Sequence, residues 1–142
     1  MSHTIRDIVE IARCFVQYRS DKLSPMGLKS CHSSYLTEIC AHPGISQDGL
    51  ARRIYINKSN VARQAAILEE EGYITRSPSA TDKRVLELYP TQKALELLPD
   101  LQAMNRCSEA FLTQDLTEEE KMTLCALLNK MKLRSAIYME DR

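Results

Sequence analysis

The sequence predicts a mostly helical fold that carries one small β-hairpin. Apolar residues recur at three- and four-residue steps over most of the chain, and only two short segments are rich in β-branched and aromatic residues. The 142 residues include four glycines and five prolines, too few for a turn-rich all-β sandwich. No apolar run approaches the ~18 residues that a membrane span requires. We therefore expect a globular, largely α-helical protein that makes no membrane contact.

Two helices are predicted at the start of the chain. The first covers residues 5–20, with apolar residues on one face and charged residues on the other. The second follows a Ser-Pro-Met-Gly break, covers residues 28–40 and ends before His42-Pro43-Gly44.

A short helix and a longer helix come next. Ser46 is a good N-cap for the short one, and Asn57 or Ser59 can cap the longer one, residues 58–71. Gly72 is placed to stop it. Its predicted buried face consists of Val61, Ala65 and Leu68.

A β-hairpin and a long helix follow. Residues 73–76 and 85–89 read as strands around the polar tip 77–84. Residues 91–114 have helical spacing, although Pro99 must kink that helix or mark a restart.

The last predicted helix begins at a capping box formed by Thr117 and Glu120 and runs to the neighbourhood of Tyr138. A compact unit over residues 28–90 is too small to cover every apolar stripe on the helices of residues 5–20 and 91–138. We therefore treat those two flanking segments as dimerisation helices of one 142-residue domain.

The order of elements between residues 46 and 84 is typical of a helix-turn-helix followed by a wing. In that motif the second helix enters the major groove of DNA, and cations of the wing reach phosphates or the minor groove. The candidate DNA-contacting residues are Lys58, Ser59, Asn60, Arg63 and Gln64 on the helix and Arg76, Lys83 and Arg84 on the wing.

Local charge agrees with this interpretation. The chain carries 19 Lys and Arg against 19 Asp and Glu, so its formal net charge is zero. Residues 46–64 nevertheless hold four cations against one Asp, a net +3, and residues 76–84 hold three against one Asp, a net +2. A neutral chain with two cationic segments of this kind is predicted to present one cationic face.

Several runs of sequence resemble the MarR family of bacterial transcriptional regulators. The most specific is Leu-Glu-x-x-Gly-Tyr-Ile-x-Arg at residues 68–76, followed by Asp-x-Arg at 82–84. Further matching runs are residues 43–53, 57–63 and 90–94.

The resemblance implies a dimeric winged-helix repressor or activator whose first, fifth and sixth helices form the dimer interface. It also implies that Arg84 contacts DNA and that Asp82 supports the wing by orienting Arg84. Two departures from the family pattern are Gly49, where Glu is common, and Tyr89-Pro90-Thr91 in place of a Leu-Thr.

A signal can reach such a regulator in several ways. Small aromatic or phenolic effectors are common in the family, and Tyr18, Cys31 and Tyr35 are candidates to line a pocket, although they fit a hydrophobic core equally well. Cys14 lies on the first helix, where the hydroperoxide-sensing branch of the family carries a reactive cysteine. We expect no metal site, because Cys31, His32 and His42 are poorly spaced for zinc.

These observations predict a DNA-binding transcriptional regulator that forms a homodimer and binds a pseudo-palindromic operator. We expect a repressor released by a small aromatic effector; the alternatives are a thiol-based redox sensor of the same fold and a winged-helix module for protein interaction. The chain offers no nucleophile and base at catalytic spacing, so we expect neither an enzyme nor a cofactor. Five widely spaced cysteines and the absence of an apolar leader indicate the cytoplasm.

Overall fold

The computed structural model describes residues 2–140. They divide into two compact units, one up to Met104 and one from Asn105 onward. The helices are α1 Thr4–Leu23, α2 His32–Ala41, α3 Gln47–Ile54, α4 Lys58–Glu70, α5 Gln92–Leu112 and α6 Glu118–Glu140, and the strands are β1 Ile45–Ser46, β2 Ile74–Pro78 and β3 Leu86–Pro90. The mostly helical fold class with a small β-wing is confirmed.

Helix α1 extends further than its predicted end at Ser20. It continues to Leu23, which is buried, and a single 3₁₀ turn, Ser24–Met26, follows. Helix α5 passes through Pro99 without a restart. A proline inside a helix removes one backbone hydrogen bond, and the helix can continue because the neighbouring turns keep theirs.

The predicted caps of α3 and α4 are present. The hydroxyl of Ser46 accepts the backbone N–H of Gly49 at 2.9 Å. Asn57, not Ser59, caps α4, since its Oδ1 accepts the N–H of Asn60 at 2.8 Å, and the Ser59 hydroxyl donates to the same oxygen at 2.9 Å. Each cap satisfies a backbone donor that the first turn leaves unpaired.

The end of α4 is also as predicted. Gly72 adopts a φ of +82°, a left-handed conformation that glycine reaches without a steric penalty. The chain then turns into β2, and the N–H of Tyr73 donates to the carbonyl of Leu68 at 2.9 Å.

The sheet has three antiparallel strands in the order β1-β3-β2. The predicted hairpin pairs β2 with β3, from Ile74 opposite Pro90 to Pro78 opposite Leu86. Strand β1, which pairs Ile45 with Leu88, was not predicted. Two residues between a turn and a helix cap carry no alternation that could reveal a strand.

The core of the first unit lies where α2, α3 and α4 meet the sheet. Leu36 and Ile39 of α2 and Leu50 of α3 are fully buried. The predicted buried face of α4 is confirmed, because Val61, Ala65 and Leu68 are each 0% exposed. This packing fixes which side of α4 faces outward.

The second unit contains the end of α5 and all of α6. The capping box at the start of α6 is confirmed: Glu120 N–H donates to the Thr117 hydroxyl at 3.1 Å, and Thr117 N–H donates to a Glu120 carboxylate oxygen at 3.3 Å. None of the described α6 residues is buried. Among residues 2–140, no helix is long and apolar enough to cross a membrane.

Candidate nucleic-acid interface

Helices α3 and α4 form the helix-turn-helix. Tyr55 ends α3 in the left-handed region at φ 57°, and the N–H of Ile56 returns to the carbonyl of Ala51 at 3.1 Å. This reverses the chain within a few residues, so that α4 begins at Lys58, directly after its cap Asn57, and packs against α3. The turn therefore presents the first two turns of α4 at the surface.

The start of α4 is polar and accessible on the side away from its buried face. Lys58, Ser59 and Arg63 are exposed, and Asn60 is partly exposed. The ammonium of Lys58 lies 3.2 Å from a carboxylate oxygen of Asp48, an ion pair at the surface that competing phosphates can replace.

The wing carries an ordered arginine. The Asp82 carboxylate accepts Arg84 Nε at 3.2 Å, Arg84 Nη2 at 3.3 Å and the Arg84 backbone N–H at 3.0 Å. These hydrogen bonds, the side-chain ones first, hold the pKa of Asp82 below its usual value. The Arg84 side chain is still 91% exposed, and the neighbouring Lys83 is exposed as well. Asp82 thus orients a cation without removing it from solvent.

Known proteins resemble this chain in sequence and in fold. A profile of the MarR family matches residues 32–86. The chain is 30% identical over 132 residues to YybA of Bacillus subtilis, an HTH-type transcriptional regulator, and the match covers 93% of this chain and 88% of YybA. The chain belongs to the MarR family of transcriptional regulators.

Solved structures of MarR-family proteins have the same fold. A MarR protein from Peptoclostridium difficile matches with a TM-score of 0.96 at 25% identity, over 99% of this chain and 92% of that one. A MarR-family regulator from Listeria monocytogenes, solved in complex with a 26-mer DNA, matches with a TM-score of 0.91 at 29% identity, over 98% and 93%. YybA and the Listeria protein are both described as transcriptional regulators.

Besides Lys58 and Arg84, two further predicted DNA-contacting residues of this MarR-family chain have protein partners. The guanidinium of Arg76 donates to Glu69 through Nε and Nη2 at 3.2 Å each and to Gln47 at 3.3 Å, so it ties β2 to α4 and α3. The Gln64 side chain is partly buried, and its Oε1 lies 2.8 Å from Nε2 of His32. The contacts of Gln64 with His32 and of Arg76 with Gln47 join distant parts of the chain, and the contact of Arg76 with Glu69 joins a strand to a helix, so no periodic pattern in the sequence reveals them.

The candidate effector residues lie at α1 and α2. Tyr35 is 0% exposed in the core, and burial raises its pKa to about 12. Burial also raises the pKa of the partly buried Cys31 thiol, while Tyr18 is partly buried on α1. Among the described residues, no hydrogen-bond partner reaches the Tyr35 hydroxyl or the buried Nε of Arg19.

The structure adds little to the redox and metal hypotheses. Cys14 is an exposed free thiol on α1, so its reactivity stays a prediction. Within residues 2–140, no three His, Cys, Asp or Glu side chains are grouped to hold a metal ion.

Proposed function

We propose that this MarR-family regulator binds double-stranded DNA through α4 and the β2–β3 wing. The observation that carries the proposal is the Asp82–Arg84 pair, which holds an exposed cation in a defined orientation. A guanidinium arranged in this way suits a phosphate or a narrow minor groove. The Listeria relative solved with DNA supports the same assignment.

We assign different roles to the exposed residues of α4 and the wing. Asn60 and Arg63 are the principal candidates for base contacts, because amides and guanidinium groups pair with base edges in the major groove. The other exposed residues are better placed for phosphates, which carry no sequence information directly. These phosphate-contacting candidates are Lys58, Ser59, Lys83 and Arg84.

We also propose that the regulator is a homodimer. Helix α6 exposes an apolar stripe in which Leu127 is 52% exposed and Leu128 is 41% exposed, and on α1 Ile5 is 69% exposed. Exposed apolar side chains on each of these terminal helices are costly in water and are covered when two copies associate. Two related winged helices would then read a pseudo-palindromic operator.

The salt dependence of DNA affinity tests the DNA-binding function directly. We expect the logarithm of the association constant to fall linearly with the logarithm of salt concentration, with a slope of roughly −4 to −7 for about four to eight neutralised phosphates. The control is a duplex of unrelated sequence, which should be bound more weakly with a comparable slope. A slope near zero, or no binding to either duplex, would instead favour a winged-helix module for protein interaction.

We propose that a small aromatic acid or phenol controls DNA binding and that the protein is a repressor. The unpartnered Tyr35 hydroxyl supports this proposal, as does Nε of Arg19, because an acidic aromatic ligand offers acceptors to both groups. The guanidinium of Arg19 already lies 4.5 Å from the centre of the Phe15 ring. The energetic requirement is that the ligand binds one arrangement of the dimer more tightly than the other.

Removing the Tyr35 hydroxyl should reduce the response to such a ligand. Without an effector, we expect Tyr35→Phe to bind DNA within about tenfold of the wild-type affinity, or ~1.4 kcal/mol. A panel of phenolic compounds should release the variant from DNA less readily than it releases the wild type. Phenylalanine is the informative change because the ring belongs to the core, where alanine would cost about 3–5 kcal/mol of stability.

The same assay distinguishes the rival signals. Loss of DNA binding under peroxide that is reversed by a thiol reductant, and absent in Cys14→Ser, would contradict the aromatic-effector proposal in favour of a redox sensor. Release by a zinc chelator would contradict it in favour of a metal. Indifference of the wild type to every phenolic compound would also contradict it.

A further inference from the structure

His32 lies outside the proposed DNA-contacting surface but is bonded to it. The residue begins α2 and is 0% exposed. Its Nδ1 accepts the backbone N–H of Lys29 at 3.0 Å, and its Nε2 lies 2.8 Å from Oε1 of Gln64 on α4. The imidazole meets the ring of Tyr35 edge-on, with centroids 6.4 Å apart, which helps to hold its plane.

The contact with Lys29 determines which ring nitrogen carries the proton. A neutral imidazole has one donor and one acceptor. Because Nδ1 receives a backbone N–H, the proton must be on Nε2. Burial above all lowers the pKa of His32, with the Gln64 hydrogen bond acting against it, so the neutral ring is favoured near neutral pH. Nε2–H therefore donates to Gln64.

The tautomer in turn determines the orientation of the Gln64 carboxamide. Its oxygen must face the imidazole N–H, because its amino group would oppose one donor with another. The amino group then points toward Asn60, whose Oδ1 lies 3.5 Å away, at the long end of hydrogen-bond distances. Asn60 is one turn earlier on α4 and is more accessible to a ligand.

We propose that His32 is a positioning residue that sets the hydrogen-bonding polarity of α4, so that Gln64 and Asn60 present amide N–H donors to DNA. The inference rests on the proposed DNA-reading role of α4. Bidentate pairing with adenine needs both the oxygen and the nitrogen of a free carboxamide, whereas guanine offers two acceptors, O6 and N7, in the major groove. This relay of hydrogen bonds from His32 through Gln64 to Asn60 therefore favours guanine over adenine at the base pairs that the two amides reach.

Two substitutions of His32 separate positioning from packing. His32→Gln keeps a nitrogen donor at about the reach of Nε2 and loses the acceptor for Lys29. His32→Asn keeps an acceptor at about the position of Nδ1 and cannot reach Gln64. Each variant loses one of the two hydrogen bonds, so both should have similar stabilities while differing in DNA selectivity.

The readout is the base preference of duplexes selected from a random pool. We expect His32→Gln to keep the wild-type preference and His32→Asn to lose about fivefold in discrimination against adenine, at the same base pairs that Gln64→Ala affects. Adding His32→Asn to Gln64→Ala should not change the base preference further, because His32 acts through Gln64 and that side chain has been removed. Affinity for unrelated DNA should stay within about twofold in both His32 variants.

Several results would overturn the proposal. Equal changes in selectivity for the Asn and Gln variants, or no change in either, would show that His32 only fills space. If neither variant folds, nitrogen NMR of the wild type decides, since the sequence holds three histidines: Nε2–H supports the relay and Nδ1–H contradicts it. A wild type without any base preference would overturn the proposed function itself, which is a different outcome.

Discussion

Replacing Leu127 by arginine is expected to break the homodimer and to lower operator affinity by about 100-fold or more. Leu127 belongs to the exposed apolar stripe of α6, and a charged side chain there would be desolvated in a subunit interface without a partner. A monomer loses the second half-site, and linked binding events typically contribute 10²- to 10⁴-fold in affinity. Sedimentation should show monomers of this variant at micromolar protein concentration, where we expect the wild type to be dimeric.

Asn129→Arg is the matched control for this change. Asn129 is an exposed polar residue two positions along α6, and helical geometry places it about 160° around the axis from Leu127. The same charge at this position should leave the mass measured by sedimentation and the operator affinity unchanged. If Leu127→Arg changes neither the mass measured by sedimentation nor the melting temperature, the interface lies elsewhere.

Arg63→Ala and Arg84→Ala are expected to weaken DNA binding in different ways. Removing a base contact should cost about 1–3 kcal/mol at particular base pairs, so Arg63→Ala should relax the selected sequence there. Removing a wing cation should instead weaken all operator variants about equally and reduce the salt slope by about one per subunit. The measurements are the selected-sequence profile and the salt titration.

Lys130→Ala provides the control for charge alone. It removes an exposed cation from α6, outside the winged helix, and should alter neither readout. A selected-sequence profile that Arg63→Ala leaves unchanged would contradict a reading role for this part of α4. A salt slope that Arg84→Ala leaves unchanged would contradict phosphate contact by the wing.

Local signals allowed most of the fold to be predicted. The caps at Ser46 and Asn57 and the stop at Gly72 depend on residues within one turn of each other, so their chemistry is visible in the sequence. The buried face of α4 follows from helical periodicity alone. Strand β1 was missed because it depends on pairing with β3, far along the chain.

The candidate site was less predictable than the fold. Residue type marks Gln64 and Arg76 as able to contact DNA, but type does not reveal the tertiary partners that occupy them, His32 for one and Glu69 for the other. Tyr35 is a similar case: its spacing fits a pocket or a core, and only packing shows that its ring is buried. Hydrogen bonds between side chains of different elements leave no periodic pattern in the sequence.

We propose that two copies of this MarR-family chain read DNA with paired α4 helices and wings. Selecting duplexes from a random pool with the wild-type protein tests it most directly. We predict enrichment of an inverted repeat whose half-sites are centred about one helical turn apart, roughly 10 base pairs, or a multiple of it. Recovery of a single half-site, or of no shared sequence at all, would contradict the claim.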